Sequence, residues 1–276
     1  MGKEYNLGFS VLMSVYKGER PEYLEKALFS VVNQTMQPDE IVLVEDGELT
    51  EELYQVINEI KAGYSILKPY SFEKNEGLGC ALRKGLSLCE NELVARMDTD
   101  DIAKSNRFEL QYQYMEEHQE VEVLGGCLEE FDEEDSSYHK VKMMPEEMSS
   151  ILKYAKYRNP LNHMTVMFRK SAVLEAGSYR DFPYLEDYDL WIRMLAKGTC
   201  FHNFDTVLIE VRCNNDIYRR RGGRKYCKQY LKLRRQQYDL KFLNFFEYQM
   251  AKLLTIGMTM QPKKLRKLVY RKVLRK

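Results

Sequence analysis

Leu93-Val94-Ala95-Arg96-Met97 runs without a break into Asp98-Thr99-Asp100-Asp101 (LVARMDTDD, residues 93–101). The first five residues suit a short strand, and the strand ends on three carboxylates within four residues. Upstream the same arrangement recurs. Phe9–Val15 (FSVLMSV) is a near-continuous apolar run, as expected of a strand covered on both faces, with Ser14 near its end. Ile41–Val44 reads as a second strand and stops at Glu45-Asp46-Gly47, and a third is expected around Ser65–Leu67.

Helical patterns separate these strands. Pro21 and Glu22 suit a first turn, followed by Leu24, Ala27, Leu28, Val31 and Val32 at helical spacing. Thr50 can cap a helix that buries Leu53, Val56, Ile57 and Ile60 and closes at Gly63. A third helix follows Asn75-Glu76-Gly77-Leu78-Gly79 and reaches about Cys89. This alternation predicts right-handed βαβ units and a mainly parallel, Rossmann-like α/β sheet flanked by helices. Ligands of such sheets sit in the crevice outside the carboxyl ends of the strands. Ser14, Asp46 and Asp98–Asp101 all fall at or near those ends, so distant residues converge on one crevice.

Downstream the pattern is less regular. Ser105 is expected to cap a helix through Phe108, Tyr112 and Met115, before a fifth strand at Val121–Leu124. Glu129–Asp135 reads as an exposed acidic loop, Met164–Phe168 as a strand, Ser171–Ala176 as a short helix and Asp187–Leu195 as a longer one. After about Arg212 come a Gly-Gly break and long basic helices. The expected division is a domain over residues 1–212, with halves at about 1–102 and 103–212, and a basic helical extension over 213–276.

Composition narrows the function. The chain has 276 residues, 44% hydrophobic and 30% charged, which excludes a disordered tail or a membrane channel. No apolar stretch approaches the roughly 20 residues of a spanning helix, and the opening residues lack the apolar region of a secretory signal. Six cysteines form no CxxC pair, so reduced thiols in a cytoplasmic protein are expected, without structural zinc. The net charge of zero conceals a polarised chain. Residues 1–211 carry 22 Lys/Arg against 39 Asp/Glu, whereas residues 212–276 carry 20 against 3. Such a basic segment needs an anionic partner: the acidic domain itself, nucleic acid, a membrane surface or a nucleotide diphosphate.

Asp98, Asp100 and Asp101 carry the strongest chemical signal. Two like charges about 4 Å apart repel by ~1 kcal/mol in water and ~4 kcal/mol near a protein surface. A cation or several donors must offset that. Carboxylate oxygens suit Mg²⁺ or Mn²⁺, which bind one or two carboxylates together with substrate phosphates. Helix capping would explain one aspartate but not three. Asp46 can read the edge of a base or close an Asx-turn. Arg83, one turn into the third helix, is either a phosphate contact or a surface charge. Glu186 and Asp187 open a helix, where one carboxylate caps and another can serve as a general base. His163 and Trp191 are candidates for substrate contact, with a structural role the alternative for His163. Arg219-Arg220-Arg221-Gly222-Gly223-Arg224 could fold over a diphosphate. In Lys263–Lys276 eight of fourteen residues are Lys or Arg, with Leu265, Leu268, Val269 and Val273 near one stripe. That pattern fits an anionic membrane interface or a helix docked on the acidic domain.

Taken in order, SVLMSVYKGE, the Val44–Gly47 turn, NEGLGCALRKGL, ARMDTDDIA, NPLNHMTVMFRKSAV and LEDYDLWIRML resemble the family 2 glycosyltransferases of GT-A fold. The resemblance covers about residues 8–212 and fades beyond. It implies nucleotide contacts at Ser14 and Asp46, with Asp98 toward the ribose and Asp100 or Asp101 as the principal metal ligand. Asp187 then matches the catalytic base, with Glu186 as the fallback. Glu45 departs from the family, which usually has a second Asp there.

The implied reaction is inverting transfer from a nucleotide diphosphate sugar, with a UDP-sugar the expected donor, to a hydroxyl of a saccharide or lipid-linked saccharide. The cofactor would be Mn²⁺ or Mg²⁺, and the basic tail would hold the enzyme at the inner face of the cell membrane. Two rivals fit less well. A sugar-phosphate nucleotidyltransferase needs a Gly- and Lys/Arg-rich loop after the first strand, and Tyr16-Lys17-Gly18-Glu19-Arg20 is a poor one. A non-enzymatic nucleic-acid-binding protein conflicts with the acidic first two-thirds, so no nucleic acid is expected.

Overall fold

Strand β1 (Phe9–Val15) is buried at every residue except half-buried Ser14. The computed structural model describes residues 8–133, 135, 137–213 and 222–261. β1 alternates between two cores. Leu12 faces Ala81, Leu82 and Leu86, while Val11 and Met13 face Leu24, Leu28 and Leu53. Full burial of one such side chain contributes about 1.5–3 kcal/mol, which is why this strand reads as unbroken apolar sequence.

β2 (Glu40–Glu45) and β4 (Leu93–Arg96) flank β1 in parallel, and β3 (Leu67–Ser71) extends β2. The connecting helices are α1 (Pro21–Val32), α2 (Glu51–Gly63) and α3 (Leu78–Leu88). Thr50 caps α2 as expected, its hydroxyl accepting from Leu53 N. β3 starts where the sequence placed its end. Pairing sets the register, Leu67 lying opposite Ile41 and Ser71 opposite Glu45, although much of this edge strand is polar and exposed.

The second half completes the same sheet. It adds β5 (Ile102–Ala103), β6 (Val123–Phe131), β7 (His139–Lys142), β8 (Met167–Arg169) and β9 (Phe201–Arg212). The order is β3-β2-β1-β4-β8-β6-β9-β5, with β7 paired to β6. β5, β7 and β8 run against the other strands, so the sheet is mainly parallel. Helices α4 (Arg107–Glu117), α5 (Met148–Ala155), α6 (Lys170–Glu175) and α7 (Glu186–Ala196) cover its faces.

Three expectations are corrected. Glu129 and Glu130 belong to β6, paired with β7 and β9, rather than to an exposed loop. Their charge is met locally: Lys104 reaches Glu129 and Glu210, and His139 lies 3.1 Å from Glu129. Residues 163–165 form a 3-10 turn ahead of β8 rather than strand. α4 is entered from Asn106 without a side-chain cap, so Ser105 does not cap it.

α8 (Arg224–Asp239) and α9 (Phe245–Thr259) form a helical hairpin, α9 being opened by an Asn244–Glu247 capping box. α8 docks on the acidic domain. Leu233 enters the core beside Tyr188, and Arg234 donates to the carbonyls of Lys156 (2.9 Å) and Tyr157 (2.6 Å). Gln236 donates to Asp189 and Gln237 to the Ala155 carbonyl. Arg219–Arg221 and the amphipathic stretch Lys263–Lys276 lie outside the described residues.

Candidate active site

The carboxyl ends of β1, β2 and β4 meet the start of α7 at one edge of the sheet. Asp98 and Asp100 are half-buried there and Asp101 is buried, and one oxygen of each lies within 4.8 Å of the others. β4 brings its own counter-charge. Arg96, only 1% exposed, forms an ion pair with Asp98 at 2.5 Å. Buried Arg107 holds that strand end in place by donating to the Arg96 carbonyl at 2.8 Å.

One guanidinium does not satisfy this cluster. Burial, then the charges of Asp98 and Glu19, push the Asp100 carboxyl up to about 7. Asp101 is pushed well above the carboxylate range, by burial first and then by Asp100 and Asp98. Asp101 Oδ2 is buried and has no hydrogen-bond partner among the described residues. Buried polar atoms are normally satisfied, so an orphaned oxygen on one of three clustered carboxylates fits a site for a divalent cation. The donors are all hard oxygens, the set that suits Mg²⁺ or Mn²⁺ and not zinc. The loop is also tied from outside. Arg212 Nε donates to the Asp100 carbonyl at 2.9 Å, and the Thr99 hydroxyl donates to Glu19 at 2.9 Å. Thr99 also reaches the Ser14 carbonyl at 3.4 Å, joining β1 to this loop.

Asp46, at the end of β2, is buried and accepts from Glu76 N (2.7 Å) and Gly77 N (3.0 Å). It therefore fixes the loop that feeds α3. Gly47 supports the same approach: its φ is +88°, and a Cβ there would sit 2.6 Å from Asn75 N. Glu45 is also buried and turns sideways, accepting from the Ser71 hydroxyl of β3. Arg83 lies exposed on α3 with Nη2 3.6 Å from Cys80 Sγ. Gly79, in the first turn of α3, abuts the opposite wall. A Cβ there would lie 2.3 Å from the Arg180 carbonyl and 3.5 Å from Glu186 Cβ. The starts of α3 and α7 consequently touch.

Asp187 occupies the first turn of α7. Its Oδ1 accepts from Tyr188 N (2.7 Å) and its Oδ2 from Asn159 Nδ2 (2.5 Å). Glu186 beside it is raised to about 7, by burial first and then by the Asp187 charge. Arg96 and Asp98 both act on Glu186, so the α7 carboxylates and the aspartate cluster share one field.

His163 and Trp191 stand behind the site. Burial, aided by Arg96, holds the imidazole well below its usual range, and its Nε2 lies 3.0 Å from the Tyr179 hydroxyl. Trp191 is fully buried, edge-on to His163 and Phe201. The expected substrate contact at Trp191 falls on a side chain with no exposed surface, whose indole N–H has no partner among the described residues. Sequence reasoning missed Arg96, Asn159, Tyr179 and Glu19. A cation inside an otherwise apolar strand was the available signal for Arg96. The others depend on contacts between distant segments.

The glycosyl transferase family 2 model matches residues 10–181. The chain belongs to this family, and it is a glycosyltransferase. It is 41% identical over 264 residues to the amylovoran biosynthesis glycosyltransferase AmsE of Erwinia amylovora, covering 96% of this chain and 98% of that one. It is 36% identical over 268 residues to the UDP-Gal:alpha-D-GlcNAc-diphosphoundecaprenol beta-1,3-galactosyltransferase of Escherichia coli, covering 97% of each. Among solved structures, S. aureus TarS 1–349 in complex with UDP-GlcNAc superposes with a TM-score of 0.68 at 16% identity, over 96% of this chain and 76% of that one. Against the longer TarS structure this glycosyltransferase spans 46% of the chain, with a TM-score of 0.65. That likeness establishes the GT-A fold.

Proposed function

We propose that this glycosyltransferase carries out inverting transfer of a sugar from a UDP-sugar to a hydroxyl of a lipid-linked saccharide in polysaccharide synthesis. The observation that carries the reading is a carboxylate cluster short of positive charge beside an aspartate whose two oxygens are held in place. The names of two relatives support the finer terms. One is an amylovoran biosynthesis enzyme, and the other takes UDP-Gal and a diphosphoundecaprenol-linked sugar.

In this reading Asp100 and Asp101 hold a Mn²⁺ or Mg²⁺ ion, and Asp98, oriented by Arg96, completes the pocket toward the ribose. When bound there, such an ion would supply Lewis-acid neutralisation of the diphosphate charge. Asp46 and Ser14 line the nucleotide end of the cleft. Asp187 takes the proton from the acceptor hydroxyl as that oxygen attacks the anomeric carbon from the face opposite the diphosphate. Asn159 keeps the Asp187 carboxylate in one orientation, and Glu186, raised to about 7 by burial and by the Asp187 charge, stands beside it as the fallback base. Residues 1–212 form the catalytic unit and residues 213–276 place it at the membrane. Among the described residues no helix is long and apolar enough to cross a membrane.

The direct test is slow hydrolysis of a panel of nucleotide sugars with Mn²⁺, with Mg²⁺ and with chelator. A UDP-sugar cleaved only with metal present is the expected result. No cleavage of any nucleotide sugar with either ion overturns the reading.

A further inference from the structure

Helix α9 is packed inside out. The face it turns toward α8 is mostly small and polar, apart from Tyr248 stacked on Tyr238: Ala251, Thr255 and Thr259 are buried, the Thr255 hydroxyl accepts from Arg234 Nε, and Thr259 bonds back to the Thr255 carbonyl. Its large apolar side chains point outward. Phe246 is 83% exposed and Leu253 67%, and Phe245, Met250, Leu254, Ile256 and Met260 are exposed beside them. Residues 246, 250, 253 and 260 recur at helical spacing with 254 and 256 on either side, so the exposed side chains share one face. Scattered surface apolar residues need no explanation, but a contiguous stripe marks an interaction surface.

The charges around the stripe choose its partner. Residues 222–261 carry eight Lys/Arg and two acids. Both acids are already engaged, Asp239 with Arg235 and Glu247 with Lys156. Residues 262–276 add eight Lys/Arg and no acid. A second copy of the chain would bring two strongly basic segments together, like charge against like charge. An anionic bilayer satisfies both features at once. Its acyl boundary takes the apolar stripe and its headgroups take the cations.

We infer that the outward face of α9 is a membrane-docking surface, inserted shallowly into the headgroup region of an anionic bilayer. This deepens the lipid-linked acceptor reading and shifts the apolar contact from residues 263–276 to α9. α8 contacts both α7, whose first turn holds Asp187, and the 155–157 segment that leads to Asn159. Docking through α9 therefore sets the base-bearing side of the cleft at a fixed relation to the lipid surface.

The test uses the full chain with vesicles of phosphatidylcholine alone and with added phosphatidylglycerol, read by co-sedimentation. The wild type is expected on the anionic vesicles only. F246S/L253S, which alters two exposed positions, is expected to lose at least about tenfold in partitioning with an unchanged melting temperature. F246W supplies a second readout, since its emission should shift to the blue on anionic vesicles while the other tryptophan, Trp191, is fully buried. Three outcomes overturn the inference: no binding to anionic vesicles, equal binding by the double variant, or a dimer that the double variant dissolves in the absence of lipid binding. Donor hydrolysis is measured on the same samples. Its loss in every form strikes the transferase reading, while vesicle binding bears on α9 alone.

Discussion

Asn159 Nδ2 donates to Asp187 Oδ2 at 2.5 Å, linking the segment after α5 to the first turn of α7. With Tyr188 N on the other oxygen, this fixes the plane of the proposed base. D187N should lower transfer by about a thousandfold or more, the scale expected when a base and its alignment are both lost. UDP affinity should stay within a few fold in calorimetry. Equal loss of transfer and UDP binding would mark Asp187 as structural. N159A should lower kcat by about 10–100-fold with donor KM nearly unchanged, since it disturbs aim rather than binding.

The orphaned Asp101 oxygen gives a binding prediction. Mn²⁺ and UDP should each tighten the other by about tenfold or more, a coupling of ~1.4 kcal/mol. D101N and D100N should remove that enhancement while leaving weak metal-free UDP binding. Titration calorimetry run in both orders measures the coupling. UDP binding indifferent to metal in the wild type would contradict the assignment.

Glu186 predicts a pH dependence. Its folded pKa, about 7, lies above the ordinary 4.5. A group raised on folding contributes stability that is full below the unfolded pKa and is lost as pH rises through the folded one. Wild-type stability should therefore fall between about pH 5 and pH 8, and E186Q should flatten the fall. Because the residue is half-buried, the difference at pH 8 should be on the order of 1–3 kcal/mol. Chemical denaturation across the range gives the comparison, and parallel curves would refute it.

Arg96 predicts a coupling. R96M leaves Asp98 beside two other acids without its ion-pair partner. It should cost about 3–5 kcal/mol, the usual effect of breaking a buried ion pair. R96M/D98N should recover part of the loss, because the uncompensated carboxylate is gone. Additive losses in denaturant unfolding would show that the pair is not coupled.

Arg234 ties the extension to the domain through two carbonyls and Tyr188. R234M should cost about 2–4 kcal/mol. R234K should not restore the loss, because an ammonium lacks the planar fork that spans both carbonyls. Thermal denaturation of the three proteins decides this.

The polar edge strand β3 was placed too early, whereas β1, β2 and β4 were legible because strands covered on both faces require unbroken apolar sequence. β9 was not: its twelve residues alternate and are half-exposed, and its partner β6 begins 78 residues earlier at Val123. α5 escaped notice because eight residues carry too few turns of periodicity. At the site, the aspartates and the α7 acids were visible because clustered charge is costly in a fold unless it has a purpose. Asp46 was visible as a residue but not as the anchor of the α3 loop. That role depends on backbone N–H groups 30 and 31 positions away.

The clamp of Arg234, Gln236 and Gln237 on the residues around Lys156 and Asp189 bears on engineering. A chimera that exchanges only the last sixty-odd residues with a relative would cut these bonds and disturb the support of the proposed base. To retarget this enzyme, the segment from the end of α5 through α8 should be grafted as one block.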